Sequence, residues 1–98
     1  MKFEDIQFEK MGAFYGADAV HGEIDLANGY LISVIRHRHS YGGPKGLYEI
    51  GVAHEDAKYG AIPEGWSDSV MGWLNGQDVE REINKLATEA VKYEKVRT

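Results

Sequence analysis

An Asn-Gly dipeptide, Asn28 and Gly29, is the feature that most constrains how this chain can fold. Asn-Gly between two extended segments is the strongest short-range signal for a β-hairpin, because both residues tolerate a positive φ angle. Residues 19–27 before it alternate apolar and polar side chains, as a half-buried strand does. Residues 30–38 after it begin with the apolar run YLISVI, which predicts a central strand covered on both faces for part of its length. The two segments are therefore predicted to pair as antiparallel strands.

Two hairpin registers are compatible with this pattern. A two-residue loop would set the apolar residues of the second strand opposite the acids of the first. A three-residue loop, residues 27–29 with Gly29 left-handed in a bulge, keeps apolar partners together. Because register follows the buried pattern, we predict the three-residue loop. Its pairs are Leu26 with Tyr30, Ile24 with Ile32, and Gly22 with Val34.

Turn residues divide the middle of the chain. Residues 40–46, SYGGPKG, contain three glycines and a proline and predict a loop without regular structure. Residues 47–54 alternate again and are predicted to form a third strand, antiparallel to the second. Residues 55–65 are predicted to be an exposed polar excursion anchored by Tyr59 and Ile62.

The C-terminal third predicts a short helix first. Ser67 or Asp68 can cap it, and it would end at Leu74. Its buried face would carry Val70 and Trp73 together with Leu74, although Gly72 weakens a helix by up to ~1 kcal/mol relative to Ala.

A longer helix is predicted to begin at Asn75, a favoured N-cap residue. Asp78 lies three positions later, where a carboxylate suits the positive end of the helix dipole. Apolar residues then recur at helical spacing and predict a narrow stripe that covers one face of the sheet. These residues are Val79, Ile83, Leu86, Ala90 and Tyr93.

Strands followed by helices predict the α+β class. We predict one domain over residues 1–98, because a chain of this length holds a single core. It comprises an N-terminal arm, residues 1–18, that is a short strand or irregular. An antiparallel β-meander of three to four strands follows over residues 19–54, and the two helices, residues 67–93, pack on one of its faces.

Composition excludes several classes of protein. The chain has no cysteine, which excludes disulfides and thiolate metal sites. A net charge of -5 disfavours non-specific attraction to DNA or to anionic membranes. No apolar run approaches the roughly twenty residues that a membrane span needs. No cofactor motif is present, and the glycine-rich loop lacks the G-x-x-x-x-G-K-[ST] spacing of a phosphate-binding loop.

Positive charge is concentrated at the end of the second strand and in the loop after it. The candidate partner-binding residues there are Arg36, His37, Arg38, His39, Tyr41 and Lys45. Strand alternation would place the two arginines on one face and the two histidines on the other. The cluster predicts a contact with an anion or with the acidic surface of a partner, and Tyr41 can stack on a base or on an arginine plane. The alternative is that these charges pair with Glu23, Asp25 or Glu49 across strands.

Other chemistry-bearing residues give weaker signals. The four histidines do not predict a metal site, because His54 lies far along the third strand and no carboxylate completes a compact set. We interpret them as solvated residues at the sheet edge. No Ser-His-Asp set and no G-x-S-x-G context is readable, so no catalytic residue is predicted. Trp66 is predicted to be a partly exposed interface anchor, and Trp73 a core residue.

The stretch GYLISVIRHRHSYGGPKGLYEIGV resembles a group of small bacteriophage and prophage proteins of uncharacterised function. The shared elements are Asn28-Gly29-Tyr30, Ser33-Val34, Ser40-Tyr41-Gly42-Gly43, Gly46-Leu47-Tyr48-Glu49 and residues 70–78. The resemblance covers roughly residues 28–86. The longer N-terminal arm and the Arg-His-Arg-His run depart from the group. No catalytic mechanism accompanies the motif, so it implies no active site.

The resemblance implies a virus-encoded protein acting in the cytoplasm of its bacterial host. With no catalytic set and no cofactor motif, the leading expectation is a non-enzymatic protein that binds a bacterial host protein. Inhibition of a host defence system such as CRISPR–Cas is one form of it. The alternative is a nucleic-acid or nucleotide-binding module that uses the surface from Arg36 to Lys45, and a third reading is a small hydrolase or metal enzyme. Exposed sheet edges also allow a homodimer by strand pairing.

Overall fold

A five-stranded antiparallel sheet is the centre of the computed structural model, which describes residues 1–57 and 59–96. The strands of the chain are β1 (Glu9–Lys10), β2 (Val20–Asp25), β3 (Tyr30–Arg36), β4 (Tyr48–His54), β5 (Ala61–Pro63), β6 (Val70–Leu74) and β7 (Tyr93–Lys95). The main sheet has the order β1-β2-β3-β4-β6, and β5 pairs with β7 in a second, two-stranded sheet. One α-helix, α1 (Gly76–Thr88), joins the two sheets in sequence. The predicted α+β class is confirmed, but the sheet has more strands than predicted and the described chain has one α-helix rather than two.

The β2–β3 hairpin has the predicted three-residue register. Ile24 pairs with Ile32 and Gly22 with Val34. The Leu26 amide donates to the Tyr30 carbonyl, and Gly29 has a φ of 96°. Apolar partners therefore share one face, as the buried pattern required.

The helix α1 covers that face of the sheet. Its Val79 and Ile83 are fully buried, as are Val34 and Ile50 on the central strands. Asn75 caps it as predicted: its side chain accepts from the Asp78 amide at 2.8 Å, and the Asp78 carboxylate accepts from the Asn75 amide at 3.1 Å. The second of these bonds, followed by the Arg81 side chain, lowers the pKa of Asp78 below its usual value.

The segment predicted as a short helix is the strand β6. It forms the edge of the main sheet and pairs with β4, which would otherwise leave a row of backbone groups unpaired. The spacing of the apolar residues Val70, Trp73 and Leu74, which suggested a helix, is produced by a bulge in the strand. A β-bulge sets Gly72 and Trp73 opposite one residue of β4, and Leu74 thereby returns to the covered face.

The long helix is shorter than predicted. It ends at Thr88, so Ala90 is exposed after the helix and Tyr93 lies in β7. The predicted stripe holds only for its first three members. Tyr93 still packs on the core, but it does so from a strand that pairs with β5.

Two further expectations need correction. The segment from 55 to 65 is not an exposed excursion, because Ala57, Ala61 and Pro63 are buried and β5 lies within it, while the predicted anchor Tyr59 is 52% exposed. The second face of the strand β3 is covered only in part, because Leu31 is exposed while Ser33 and Ile35 are half-buried. The covered face alone carries the core. Within the described ranges, no helix is long and apolar enough to cross a membrane.

Candidate interaction site at one end of the sheet

Four elements bring aromatic and basic side chains to one end of the main sheet. The strand register places the start of β2 beside the end of β3, and the start of β4 beside the end of β6. Two 3₁₀ turns flank these strand ends, Ala13–Tyr15 and Gly43–Lys45. We call the resulting surface the aromatic–basic rim. Its members are Phe14, Tyr15, Arg36, His37, Arg38, His39, Tyr41, Lys45 and Trp73.

Arg36 is half-buried where β3 ends. Its guanidinium donates to the Tyr48 hydroxyl at 3.0 Å and to the Asp18 carbonyl at 3.4 Å. Its Cζ also lies 5.1 Å from the centroid of the Tyr48 ring. A guanidinium held over an aromatic face and by neutral oxygens has a fixed direction.

Arg38 is exposed and tied to the N-terminal arm. It donates to the Phe14 carbonyl, and its Cζ lies 5.5 Å from the centroid of the Phe14 ring. The Phe14 ring lies 5.3 Å from Tyr15 and 5.5 Å from His39, centroid to centroid. The arm therefore supplies two aromatic side chains to the rim, although Phe14 itself remains 68% exposed.

The histidines of the rim do not follow strand alternation. The strand β3 ends at Arg36, so His37 and His39 lie in the bend and turn that follow rather than on one strand face. Their rings are 6.0 Å apart, and Nδ1 of His37 accepts from the His39 amide at 3.0 Å. The predicted separation of arginines and histidines onto two faces is wrong, because the residues after Arg36 do not continue the strand.

The charged groups of Arg36, Arg38 and Lys45 have no carboxylate within 4.0 Å among residues 1–57 and 59–96. The Glu49 carboxylate instead accepts from the Tyr41 amide at 3.0 Å. The alternative in which cross-strand acids neutralise the cluster is therefore not what the structure shows.

The backbone amides of the glycine-rich loop are occupied by hydrogen bonds within the loop. The amides of Gly43, Lys45, Gly46 and Leu47 all donate to carbonyls within the loop, and the Ser40 hydroxyl donates to the His37 carbonyl. These amides are not free to cradle a phosphate, which agrees with the missing phosphate-loop spacing. The loop does contain regular structure, one 3₁₀ turn, because Pro44 at its start presets the backbone.

Trp73 is the functional candidate that sequence reasoning placed in the core. It is 62% exposed and has a φ of 62°, in the left-handed region that a bulky side chain rarely adopts. Its amide donates to the Tyr41 carbonyl at 3.1 Å, so it lies beside the loop whose Tyr41 is 63% exposed. The signal in the sequence was Gly72 next to it, because glycine within a strand often marks a bulge. A Cβ at Gly72 would lie 2.3 Å from the Tyr41 Cβ.

Trp66 does not belong to the rim. It lines a cavity of about 150 Å³ with Tyr30, which begins β3 and so lies at the opposite end of the sheet. Trp66 is half-buried and packs against the core. The six predicted residues from Arg36 to Lys45 therefore lie at one end of the sheet, and the seventh, Trp66, lies at the other.

The remaining histidines are dispersed. His54 is buried rather than solvated, and its Nε2 lies 3.0 Å from the Asn28 carbonyl. Its Nδ1 accepts from the Asp56 amide, and its ring stacks on Tyr93. In the part of the chain that the structure describes, no group of three or more histidine or acidic side chains is placed to hold a metal ion.

Comparison with protein-family models, with curated proteins and with solved structures finds no match to this chain. The rim combines exposed aromatic side chains, a strained backbone at Trp73 and cations with no carboxylate within 4.0 Å among the described residues. The resemblance to phage proteins stays a prediction.

Proposed function

We propose that this protein is a non-enzymatic binding protein, encoded by a bacteriophage, that docks onto a protein of the bacterial host through the aromatic–basic rim. The observation that carries the proposal is the exposed Trp73 on a left-handed backbone. Backbone strain of this kind costs about 1–3 kcal/mol and is concentrated at functional positions. A side chain that neither fills the core nor relaxes its backbone is best explained by a contact outside the chain.

The residue types of the rim support this proposal. Tryptophan, tyrosine and arginine are the residues most enriched among those that dominate the free energy of protein association. Here Trp73 and Tyr41 are joined by a backbone hydrogen bond, and Arg38 is braced by Phe14. The backbone of the two aromatic residues and the side chain of Arg38 are thus held before a partner binds, which lowers the conformational entropy lost on binding.

Binding fits the rim better than catalysis does. The Ser40 hydroxyl, a potential nucleophile, is buried. It donates a hydrogen bond to the His37 carbonyl and accepts one from the His37 amide. A catalytic serine needs a basic side chain within hydrogen-bond reach, not a peptide group. An inhibitor of a host defence system, including CRISPR–Cas, is one form of the proposed binding protein.

Single-stranded nucleic acid is the second candidate partner. The observation that favours it is the combination of the exposed Phe14, Tyr41 and Trp73 rings with nearby cations, which is typical of surfaces that stack bases. Direct titration with an oligonucleotide tests this candidate: binding that falls steeply with salt would support it, because phosphate contacts release counterions, and no binding at low salt would exclude it.

Affinity capture from bacterial lysate tests the proposal. The bait is the full chain as wild type, as the double variant Tyr41→Ser/Trp73→Gly, and as the control variant Leu31→Ser. Leu31 is an exposed apolar residue of β3 that is not part of the rim. We expect the host protein that wild type retains to be retained by the control and lost by the double variant, because removing a central aromatic costs about 2 kcal/mol or more. Equal retention by all three folded baits would refute the rim as the binding surface.

A further inference from the structure

We infer that the rim recognises an acidic segment of its protein partner, and that a carboxylate of that segment enters the cavity between Arg36, His37 and Arg38. This inference rests on the proposed function, since it names the chemistry of the partner for the same surface. The cavity measures about 250 Å³. It opens between the backbone before β2, residues 15–19, and the end of β3, and Gly43 and Pro44 complete its lining.

The two arginines are prepared for an anion. The hydrogen bonds of Arg36 use two of the five N–H donors of a guanidinium, and that of Arg38 uses one. Every acceptor in these bonds is a neutral oxygen, two backbone carbonyls and the Tyr48 hydroxyl. The remaining donors can therefore form charge-assisted, bidentate bonds with a carboxylate without displacing an internal ion pair.

The charge of the rim contrasts with the rest of the molecule. Arg81 on α1 lies 2.9 Å from an Asp78 oxygen, and Lys92 lies 3.7 Å from a Glu64 oxygen. The cations of the rim have no such partner within 4.0 Å in the described ranges, although the whole chain has a net charge of -5. Asp18 lines the cavity, but it meets Arg36 through its backbone carbonyl. The rim is thus a confined positive surface on an acidic protein.

A protein carboxylate fits this surface better than a nucleic acid. The permanent cations of the rim are Arg36, Arg38 and Lys45, which is too few to follow a phosphate backbone. The net charge of -5 sets the sign of the field at a distance from the molecule, and this field repels a long polyanion. A short acidic segment, in contrast, needs only local complementarity and gains specificity from it.

Nuclear magnetic resonance titration of the isotope-labelled full chain tests the inference. The probes are a short capped peptide that alternates Glu and Ser, the same peptide with Gln for Glu, and a single-stranded oligothymidine. We expect the Glu peptide to shift the amide signals of residues 36–39, with an affinity that falls as salt is added. We expect the Gln peptide to bind at least about tenfold more weakly, since it keeps the shape and loses the charge.

Variants make the test specific to these side chains. Arg38→Gln should weaken binding of the Glu peptide about tenfold, and Arg38→Lys should restore only part of it, because lysine lacks the planar fork. Lys45→Gln is the second variant, which keeps the test valid if Arg38→Gln perturbs the Phe14 contact. It should also weaken binding of the Glu peptide, but by less than Arg38→Gln, because Lys45 lies beside the cavity and not in its lining. Lys85→Gln, an exposed residue of α1, is the matched control and should leave the affinity unchanged.

Three outcomes would overturn the inference: equal binding of the Glu and Gln peptides, no shift at the rim, or tighter binding of oligothymidine than of the Glu peptide. Failure of this inference is distinguishable from failure of the proposed function. If Arg38→Gln/Lys45→Gln still captures the host protein while Tyr41→Ser/Trp73→Gly does not, the rim binds a partner that is not acidic. If both double variants still capture it, the proposed function itself is wrong.

Discussion

Replacing Trp73 by alanine and, separately, by glycine isolates the backbone strain at the bulge. Both variants lose the same indole contacts, so the difference between their free energies of unfolding contains little of the burial term. What differs is the backbone. Alanine retains the penalty for a φ of 62°, whereas glycine populates that region freely. The sign of the difference therefore reports whether the strain is real.

The magnitudes predict an inversion of the usual order. A left-handed conformation costs a residue with a Cβ about 1–2 kcal/mol. Glycine loses more chain entropy on folding, and this costs roughly 0.5–1 kcal/mol relative to alanine within a strand. The net expectation is that Trp73→Gly is more stable than Trp73→Ala by about 0.5–1 kcal/mol. At an ordinary strand position glycine would be the less stable variant by a similar amount.

Exposure bounds the cost of losing the ring itself. Trp73 is 62% exposed, so roughly 95 Å² of a ~250 Å² side chain is covered. At about 25 cal/mol per Å² that area contributes at most ~2.4 kcal/mol. Truncation of a core tryptophan costs about 3–5 kcal/mol. Trp73→Gly should therefore be only mildly destabilised, since relief of strain offsets part of the loss.

Urea unfolding at equilibrium measures both quantities, provided that the slope of free energy against urea is unchanged among variants. The control pair is Leu31→Ala and Leu31→Gly, on β3, where φ is not positive and alanine should be the more stable variant. An alanine variant at position 73 that equals or exceeds the glycine variant in stability would refute the strain argument. A decrease of more than about 3 kcal/mol in the free energy of unfolding of Trp73→Gly would instead show that the indole is a core side chain.

Two further predictions concern the helix cap and the loop. The hydrogen bond from the Asn75 amide lowers the pKa of Asp78, so this carboxylate stabilises the fold above its unfolded pKa of about 4, and that contribution is lost as pH falls through the lower folded value. Asp78→Asn should therefore reduce the loss of stability below about pH 4, measured by thermal melts across pH. The same loss of stability at low pH in wild type and variant would contradict this. Gly43→Ala should lower stability by more than about 2 kcal/mol in the same melts, because its Cβ would lie 1.8 Å from the His37 carbonyl oxygen. The control Gly51→Ala, whose Cβ meets nothing within 4 Å, should be neutral or stabilising. Equal melting temperatures for the two variants would show that the loop is not rigid.

Local signals predicted the parts of the fold that depend on neighbouring residues. The Asn75 cap needs only Asp78 three positions later, and the hairpin register needs only the alternation on either side of Gly29. Both predictions are confirmed. The start of α1 was predicted for the same reason, and its end was not, because the segment after Thr88 leaves the helix to pair with β5.

Non-local pairing explains the errors. The segment from Val70 to Leu74 has apolar residues at helical spacing, and a bulged strand produces the same spacing. The choice between helix and strand is made by the free edge of β4, which lies outside this segment and so cannot be seen in its own sequence. The rim shows the same limit: its cations are adjacent in sequence and were predicted, whereas Phe14 and Trp73 reach it from distant segments and were not.

The bulge also explains why the rim can be a precise binding surface. The Trp73 amide donates to the Tyr41 carbonyl, the next residue Leu74 is buried, and the helix cap at Asn75 follows directly. The backbone that carries the exposed ring is therefore an anchored edge strand rather than a free loop. A contact residue on such a backbone loses little backbone entropy when it binds, which offsets the strain accepted in folding. The strained position and the binding surface are, on this argument, one feature of the fold.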